Sequence, residues 1–341
     1  MKKNIENIDK SNLKEVIRDF PKQLVDGLKL ADNAKIKNDF KFLEVSGMGG
    51  SSLPADLLKI YLAELHLKSP GKNKKLGLFQ NRFYDLPLEA HKNTLNIFAS
   101  YSGNTEETLS SLTDAIQRNL PGVCLATGGK LKSICEKNKL AIITLPVGLQ
   151  PRSATGYFFS AMTQILVNAG LIGDQTKNME KLAGKLGKEM DGLEKKGKAI
   201  AQKIAGKIPL IYAPQKFKAL AMIWKIKINE NAKTHAFWNY YPELNHNEMS
   251  GFGIKKADFF VISLLHKKDH PQNKKRIYAT SELLKNKGVE NIIVEMPDRD
   301  ILHTIFSTLL LGDWVSYYLA MEYGQDPTPV KMVEDFKRML E

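Results

Sequence analysis

FKFLEVSGMGGSS, residues 40–52, is the stretch on which the fold turns. Its first six residues are a short apolar run of the length expected of a buried strand. Ser46 to Ser52 follow as a Gly/Ser loop, and residues 53–65 continue as a helix with Pro54 suited to its first turn. A strand, a glycine-rich turn and a helix in that order aim free backbone N–H groups and the positive end of a helix dipole at an anion. The same order recurs in TLNIFASYSGNTEET, residues 94–108: strand 94–100, turn 101–105, and a helix through Ile116. Glu106 and Glu107 stand in that helix's first turn, where the dipole favours acids.

Three further short runs, 76–79, 122–126 and 141–145, read as strands, and Thr127-Gly128-Gly129 follows the second of them. The β-α-β-α-β order with glycine-rich turns at strand ends argues for a doubly wound parallel sheet. Residues 1–35 form an amphipathic helical segment, with Leu13, Val16, Ile17 and Phe20 at helical spacing. Residues 36–173 make the first α/β domain, with a loop at 146–156 and an apolar helix at 157–169. A Lys/Glu/Gly-rich helical connection spans 174–206. Residues 207–341 then repeat the α/β logic, with strands at 208–212, 259–265 and 291–295. Helices are expected at 217–229 and 301–323, with a last one running to Glu341.

Two domains suit a chain of 341 residues, and its 43% hydrophobic content fills ordinary cores. No apolar run reaches the roughly 18 residues of a membrane helix, and the start lacks the apolar core of a secretory signal. Cys124 and Cys135 can build neither a disulfide framework nor a paired CxxC metal site, so a reducing cytoplasm is the expected setting. The 50 Lys and Arg against 37 Asp and Glu give a net charge of +13. The lysines are dispersed, with the densest group (Lys195, Lys196, Lys198) on a solvated helix, so the charge reads as a surface property rather than a nucleic-acid site.

The loop at 47–52 is not a P-loop, because no GK[ST] follows at the required spacing. Ser52 stands where a third dinucleotide-binding glycine would be, and no acid closes a neighbouring strand about twenty residues on. Gly and Ser in one loop, and three hydroxyls with a flexible turn in the other, form instead a cup suited to a phosphate monoester. Either loop alone is an ordinary strand-to-helix turn; both after strands of one sheet favour the cup.

Residues 229–248, NENAKTHAFWNYYPELNHNE, carry three glutamates, two histidines, five asparagines and a lysine among Phe237, Trp238, Tyr240 and Tyr241. Such a stretch suits a site that moves protons while excluding bulk water. The set GMGGS, SYSGNT, Pro151-Arg152 and NENAK…PELNHNE resembles the bifunctional phosphoglucose/phosphomannose isomerases, of the sugar isomerase fold. The resemblance runs from about residue 40 to the C-terminus. It implies two doubly wound parallel-sheet sugar isomerase domains. It further implies an aldose–ketose isomerase for hexose 6-phosphates that needs no cofactor or metal, and a homodimer in which His246 reaches the other subunit's site.

Carried over residue by residue, the phosphate cup is Gly50, Ser51, Ser100, Ser102 and Thr105. Glu230 matches the catalytic base, His246 the ring-opening histidine, and Arg152 the arginine facing the reacting carbons. Lys337, after Phe336, matches the lysine of the C-terminal helix, with Lys331 as competitor; Thr328 is a candidate for sugar discrimination. The chemistry agrees, since one carboxylate can move a proton between C2 and C1 while a fixed guanidinium stabilises the enediolate. The rival reading is a non-catalytic sugar-phosphate regulator of the same fold, which would keep the hydroxyl cup without Glu230, His246 and Arg152. His66, His91, His235 and His303 read as surface or satisfied core residues, and His266 and His270 as part of a solvated loop.

Overall fold

The structure, a computed structural model, describes residues 5–36, 40–254 and 256–340. Three helices lead: α1 (Ile5–Ile8), α2 (Leu13–Arg18) and α3 (Phe20–Ala31). A parallel sheet follows, built from β1 (Phe42–Gly47), β2 (Gly77–Asn81), β3 (Thr94–Ala99), β4 (Gly122–Ala126) and β5 (Ala141–Thr144). Its helices are α4 (Gly49–Lys68), α5 (Glu106–Gln117), α6 (Gly129–Lys137) and α7 (Thr155–Asn168). After α8 (Thr176–Ile204) comes a second parallel sheet of β6 (Ile208–Pro214), β7 (Phe237–Tyr241), β8 (Phe259–Leu265) and β9 (Glu290–Glu295). With it go α9 (Lys218–Ala232), α10 (Pro271–Asn286), α11 (Ile301–Tyr323) and α12 (Lys331–Leu340). The α/β class with parallel sheets is as expected from the sequence.

The chain forms two compact units, residues 19–187 and residues 1–18 with 188–341, so the division falls within α8. Helix α3 packs along α7, where a Cβ on Gly27 would stand 2.8 Å from the Tyr157 carbonyl oxygen. In the other unit α2 lies against α11, and Arg18 pairs with Asp191 at 2.8 Å and with Glu194 at 2.5 Å.

Strand order decides where a ligand can sit. The first sheet runs β2-β1-β3-β4-β5. The chain therefore winds from β1 to β2 on one side, then returns to place β3 on the other. The carboxyl ends of β1 and β3 diverge there, leaving the crevice in which open α/β sheets bind ligands. In register, Gly47 lies beside Ala99, so the loops leaving both strands start side by side. All six residues of β3 are buried, as are five of the six in β1, which is why both read as nearly continuous apolar runs.

Several elements differ from the sequence reading. Helix α4 starts at Gly49, where φ is +49°, so the chain turns straight out of β1 into the helix. The Gly/Ser segment is thus its first turn, and Pro54 lies inside the helix rather than in that turn. Residues 237–241, within the stretch for which no strand is expected, form β7; β-prone Phe, Trp and Tyr side chains suit an extended strand. The charged run 264–276, which reads as a solvated loop, instead ends in the first turns of α10, with Pro271 at the helix's first position and the His270 ring capping it. Helix α6 also went unread, because glycine and lysine at its start mask a short amphipathic pattern.

Candidate active site

Within residues 19–187 the two hydroxyl loops are joined directly. The Tyr101 N–H donates to Ser51 Oγ at 2.9 Å, tying the turn after β3 to the first turn of α4. Ser100, fully buried, shares a 2.8 Å hydrogen bond with the Thr105 hydroxyl and accepts from the Gly103 N–H at 3.1 Å. Ser102 is exposed and accepts from the Asn104 N–H at 3.2 Å. Ser51, Ser100 and Thr105 are therefore preset by hydrogen bonds, whereas Ser102 faces solvent.

A third turn, after β4, supports the second. Thr127 donates to the Tyr101 carbonyl through both its N–H and its hydroxyl, at 2.9 and 2.7 Å. The Lys130 N–H donates to Asn104 Oδ1 at 2.9 Å. Contact is close enough that a Cβ on Gly103 would lie 1.8 Å from the Gly128 carbonyl oxygen, and Gly103 has φ +71°. Only glycine fits there.

Arg152 joins the same region. It lies in a short 3-10 turn, Pro151–Ser153, packed on Gly50, where a Cβ would stand 2.3 Å from the Arg152 nitrogen. Its side chain is buried, and Nη1 donates to Gln150 Oε1 at 3.4 Å. Tyr101 steadies the approach to this turn: its hydroxyl donates to the Pro146 carbonyl at 2.8 Å and accepts from the Leu149 N–H at 2.9 Å. Burial raises the Tyr101 phenol above its usual range, keeping that donor protonated. The structure thus brings Gly50, Ser51, Ser100, Thr105 and Arg152 together.

Beneath the cup, Glu44 of β1 is fully buried, and loss of hydration pushes its carboxyl up to about 8 despite a 2.6 Å hydrogen bond from the Ser46 hydroxyl. It was read from sequence only as part of a strand. Alternation places Ser46 on the same face as Glu44, and a lone acid inside a buried strand was the available signal.

The remaining candidates belong to the other unit. Glu230 is half-buried in the last turn of α9. That turn ends at Lys233, which is left-handed at φ +56° and donates its ammonium to the Glu230 carbonyl at 2.5 Å. His246 is exposed at the end of the 3-10 turn Glu243–His246, which follows a cis Tyr241–Pro242 bond. Glu248 anchors this loop by accepting from the Tyr212 hydroxyl and the Asn239 amide. Glu248 was not singled out from sequence, although it closes the quoted motif. Lys337 and Lys331 are both exposed on α12, a helix with no buried residue. Thr328 lies in the loop before α12, its N–H donating to Asp326 Oδ1 at 3.0 Å.

Among the other histidines, His266 is not solvated: it is 9% exposed and packs its ring on Phe217 at 5.0 Å. Burial lowers its basicity. His303 is buried, with Nε2 2.7 Å from Glu189 Oε2, while its Nδ1 has no hydrogen-bond partner among the described residues. Among the described residues no group of three or more His, Cys, Asp and Glu side chains could hold a metal ion. No helix among them is long and apolar enough to cross a membrane.

Comparison with known proteins relates the chain to a family. The family profile described as "Bacterial phospho-glucose isomerase C-terminal SIS domain" matches residues 193–340. A bifunctional phosphoglucose/phosphomannose isomerase of Caldicellulosiruptor bescii is 35% identical, the match covering 96% of this chain and 98% of that protein. The protein of the same description in Aquifex aeolicus is 32% identical over 91% of this chain and 93% of its own. Among solved structures, tagatose-6-phosphate ketose/aldose isomerase from Escherichia coli superposes with a TM-score of 0.67 at 14% identity, covering 92% of this chain and 93% of that one. The last likeness concerns the fold alone.

Proposed function

The chain belongs to the bifunctional phosphoglucose/phosphomannose isomerase family, and from that premise we propose that it interconverts glucose 6-phosphate and mannose 6-phosphate with fructose 6-phosphate. The observation that carries the reading is the hydroxyl cup at the β1/β3 switch point, preset by the Tyr101 N–H on Ser51. Gly50, Ser51, Ser100, Ser102 and Thr105 hold the 6-phosphate, which can accept several hydrogen bonds in a compact space. Both units are doubly wound sugar isomerase domains in this reading.

Glu230 takes the C2 proton and returns it to C1 through a cis-enediol. Arg152 stabilises the enediolate more than the neutral sugar, because its charge meets charge that develops only during the reaction. His246 relays a proton at the ring oxygen as the sugar opens; an imidazole suits this near neutral pH. Lys337 is the assisting lysine, with Lys331 as its competitor. The two aldoses differ at C2, and rotation about C2–C3 after ring opening lets one base serve both. The working form is a cytoplasmic homodimer in which His246 serves the partner's substrate.

A coupled assay of fructose 6-phosphate conversion tests the activity, and no turnover of any of the three hexose phosphates would overturn it. Glu230→Gln should lower kcat at least about 10³-fold while binding of a phosphorylated sugar acid persists. Near-normal turnover in that variant would move the base elsewhere.

A further inference from the structure

Helices α9 and α11 carry a row of buried polar contacts that the reaction itself does not require. The Trp224 indole N–H donates to the Thr308 carbonyl at 2.9 Å, and its ring lies so close to Gly312 that a Cβ there would stand 2.4 Å away. Next along both helices, the Lys227 ammonium is hydrogen-bonded to the Asp313 carboxylate, with side-chain exposures of 2% and 8%. Further on, the Asn231 amide donates to the Ser316 hydroxyl at 2.9 Å, which in turn donates to the Asp313 carbonyl at 2.9 Å. The partners rise in number together, so the helices run parallel and the row climbs towards the end of α9 that bears Glu230.

Stability alone does not explain the ion pair. Desolvating two charges costs several kcal/mol, and apolar residues of similar volume commonly do as well or better in such a place. What charged and polar contacts supply is selection of one packing arrangement. Helix α11 is buried from Ile301 to Met321, and apolar faces of that kind accept more than one register. Lys227 and Asn231 lie three residues before and one after Glu230, so whatever fixes them fixes the last turn of α9. A displacement of about 1 Å in a catalytic group can cost about 10²-fold in rate.

We propose that the Lys227–Asp313 and Asn231–Ser316 contacts are positioning residues that set the rotation of α9 on α11 and so aim the Glu230 carboxylate. The proposal rests on the reading of Glu230 as the base. It assigns these four side chains no contact with substrate.

The test is Lys227→Met/Asp313→Leu, alone and combined with Glu230→Gln, with Ser316→Ala as a milder second variant. Thermal unfolding and hexose phosphate kinetics are measured on each. We expect the double variant to melt at or above the parent temperature while kcat falls at least tenfold and KM stays within twofold. We expect Ser316→Ala to lower kcat about threefold, again at constant KM. Against Glu230→Gln the double replacement should cost less than twofold more, because the group that it aims is already lost. Parent-like kcat in a stable double variant overturns the proposal, as does an equal further loss in the Glu230→Gln background. If the double variant does not fold, Ser316→Ala decides: unchanged kcat, or kcat and KM worsening together, overturns it. Full activity of Glu230→Gln by itself would instead refute the assignment of the base.

Discussion

Glu44 on β1 lies directly beside Asn96 on β3, each in the register position of the other and both fully buried. Glu44 Oε2 and Asn96 Oδ1 are both buried acceptors that no donor reaches. The Asn96 amide already donates to the Thr94 and Pro121 carbonyls, at 3.2 and 2.8 Å. On neighbouring strands about 4.8 Å apart, a buried carboxyl beside another acceptor is better kept protonated than charged. Burial thus favours the neutral form of the acid on β1, pushing its carboxyl up to about 8.

The pH dependence of stability follows. Burial raises the Glu44 carboxyl from 4.5 to about 8, so the folded chain keeps this proton longer than the unfolded chain. Its contribution is greatest below pH 4.5 and is lost as pH rises from there towards 8, at about 1.4 kcal/mol per pH unit. Glu44→Gln offers the same donor and acceptor without titrating. Urea unfolding at pH 5, 6.5 and 8 should show the variant gaining on the parent as pH rises; parallel curves would contradict a neutral Glu44.

Gly103→Ala should destabilise residues 19–187 by about 2–4 kcal/mol, since Gly103 combines a left-handed backbone with a carbonyl 1.8 Å from any added Cβ. The cup should fail with it, so KM for hexose phosphates should rise in the fraction that remains folded. Chemical denaturation and initial rates would report both effects.

Tyr101→Phe removes a hydroxyl that both donates to Pro146 and accepts from Leu149. Two backbone groups lose their partner, at a cost of about 1–3 kcal/mol. The turn bearing Arg152 follows directly, so kcat should fall more than KM changes. A drop in thermal stability with unaltered kcat would detach Tyr101 from the chemistry.

Arg152→Lys keeps a charge but loses the planar fork and its reach. On the proposed mechanism kcat should fall about 10²–10³-fold with little change in KM, the pattern of a contact made mainly in the transition state. Steady-state kinetics with fructose 6-phosphate checks it, and a purely raised KM would make Arg152 a substrate-binding group instead.

Much of this was legible in the sequence, for identifiable reasons. Buried parallel strands are apolar runs, so 122–126 and 259–265 were read with the boundaries that the structure has, and α11 likewise at 301–323. The hydroxyl loops were legible because two Ser/Gly/Thr turns follow strands of one sheet, where either alone would be an ordinary turn. What sequence hid was long-range partnering. Nothing local says that Tyr101 serves Ser51, that Glu248 is gripped by Tyr212, or that His266 packs on Phe217. The start of α4 was hidden too, since two glycines are poor helix formers and only the turn at Gly49 makes them helical.

The proposed phosphate cup draws only on residues 19–187: its two hydroxyl turns, the turn after β4 that supports them and the tyrosine that ties them all belong to that one unit. On the proposed assignment, a handle common to every hexose 6-phosphate is recognised by a stretch of chain that contains neither Glu230 nor His246. For protein engineering this is a convenient partition. Libraries aimed at new sugars can vary positions from 207 onward while the anchor stays untouched, and conversely the anchor can be retuned for another anionic group without disturbing the proton-moving side chains. Selectivity and grip become two dials on one catalyst, turned by different parts of one gene.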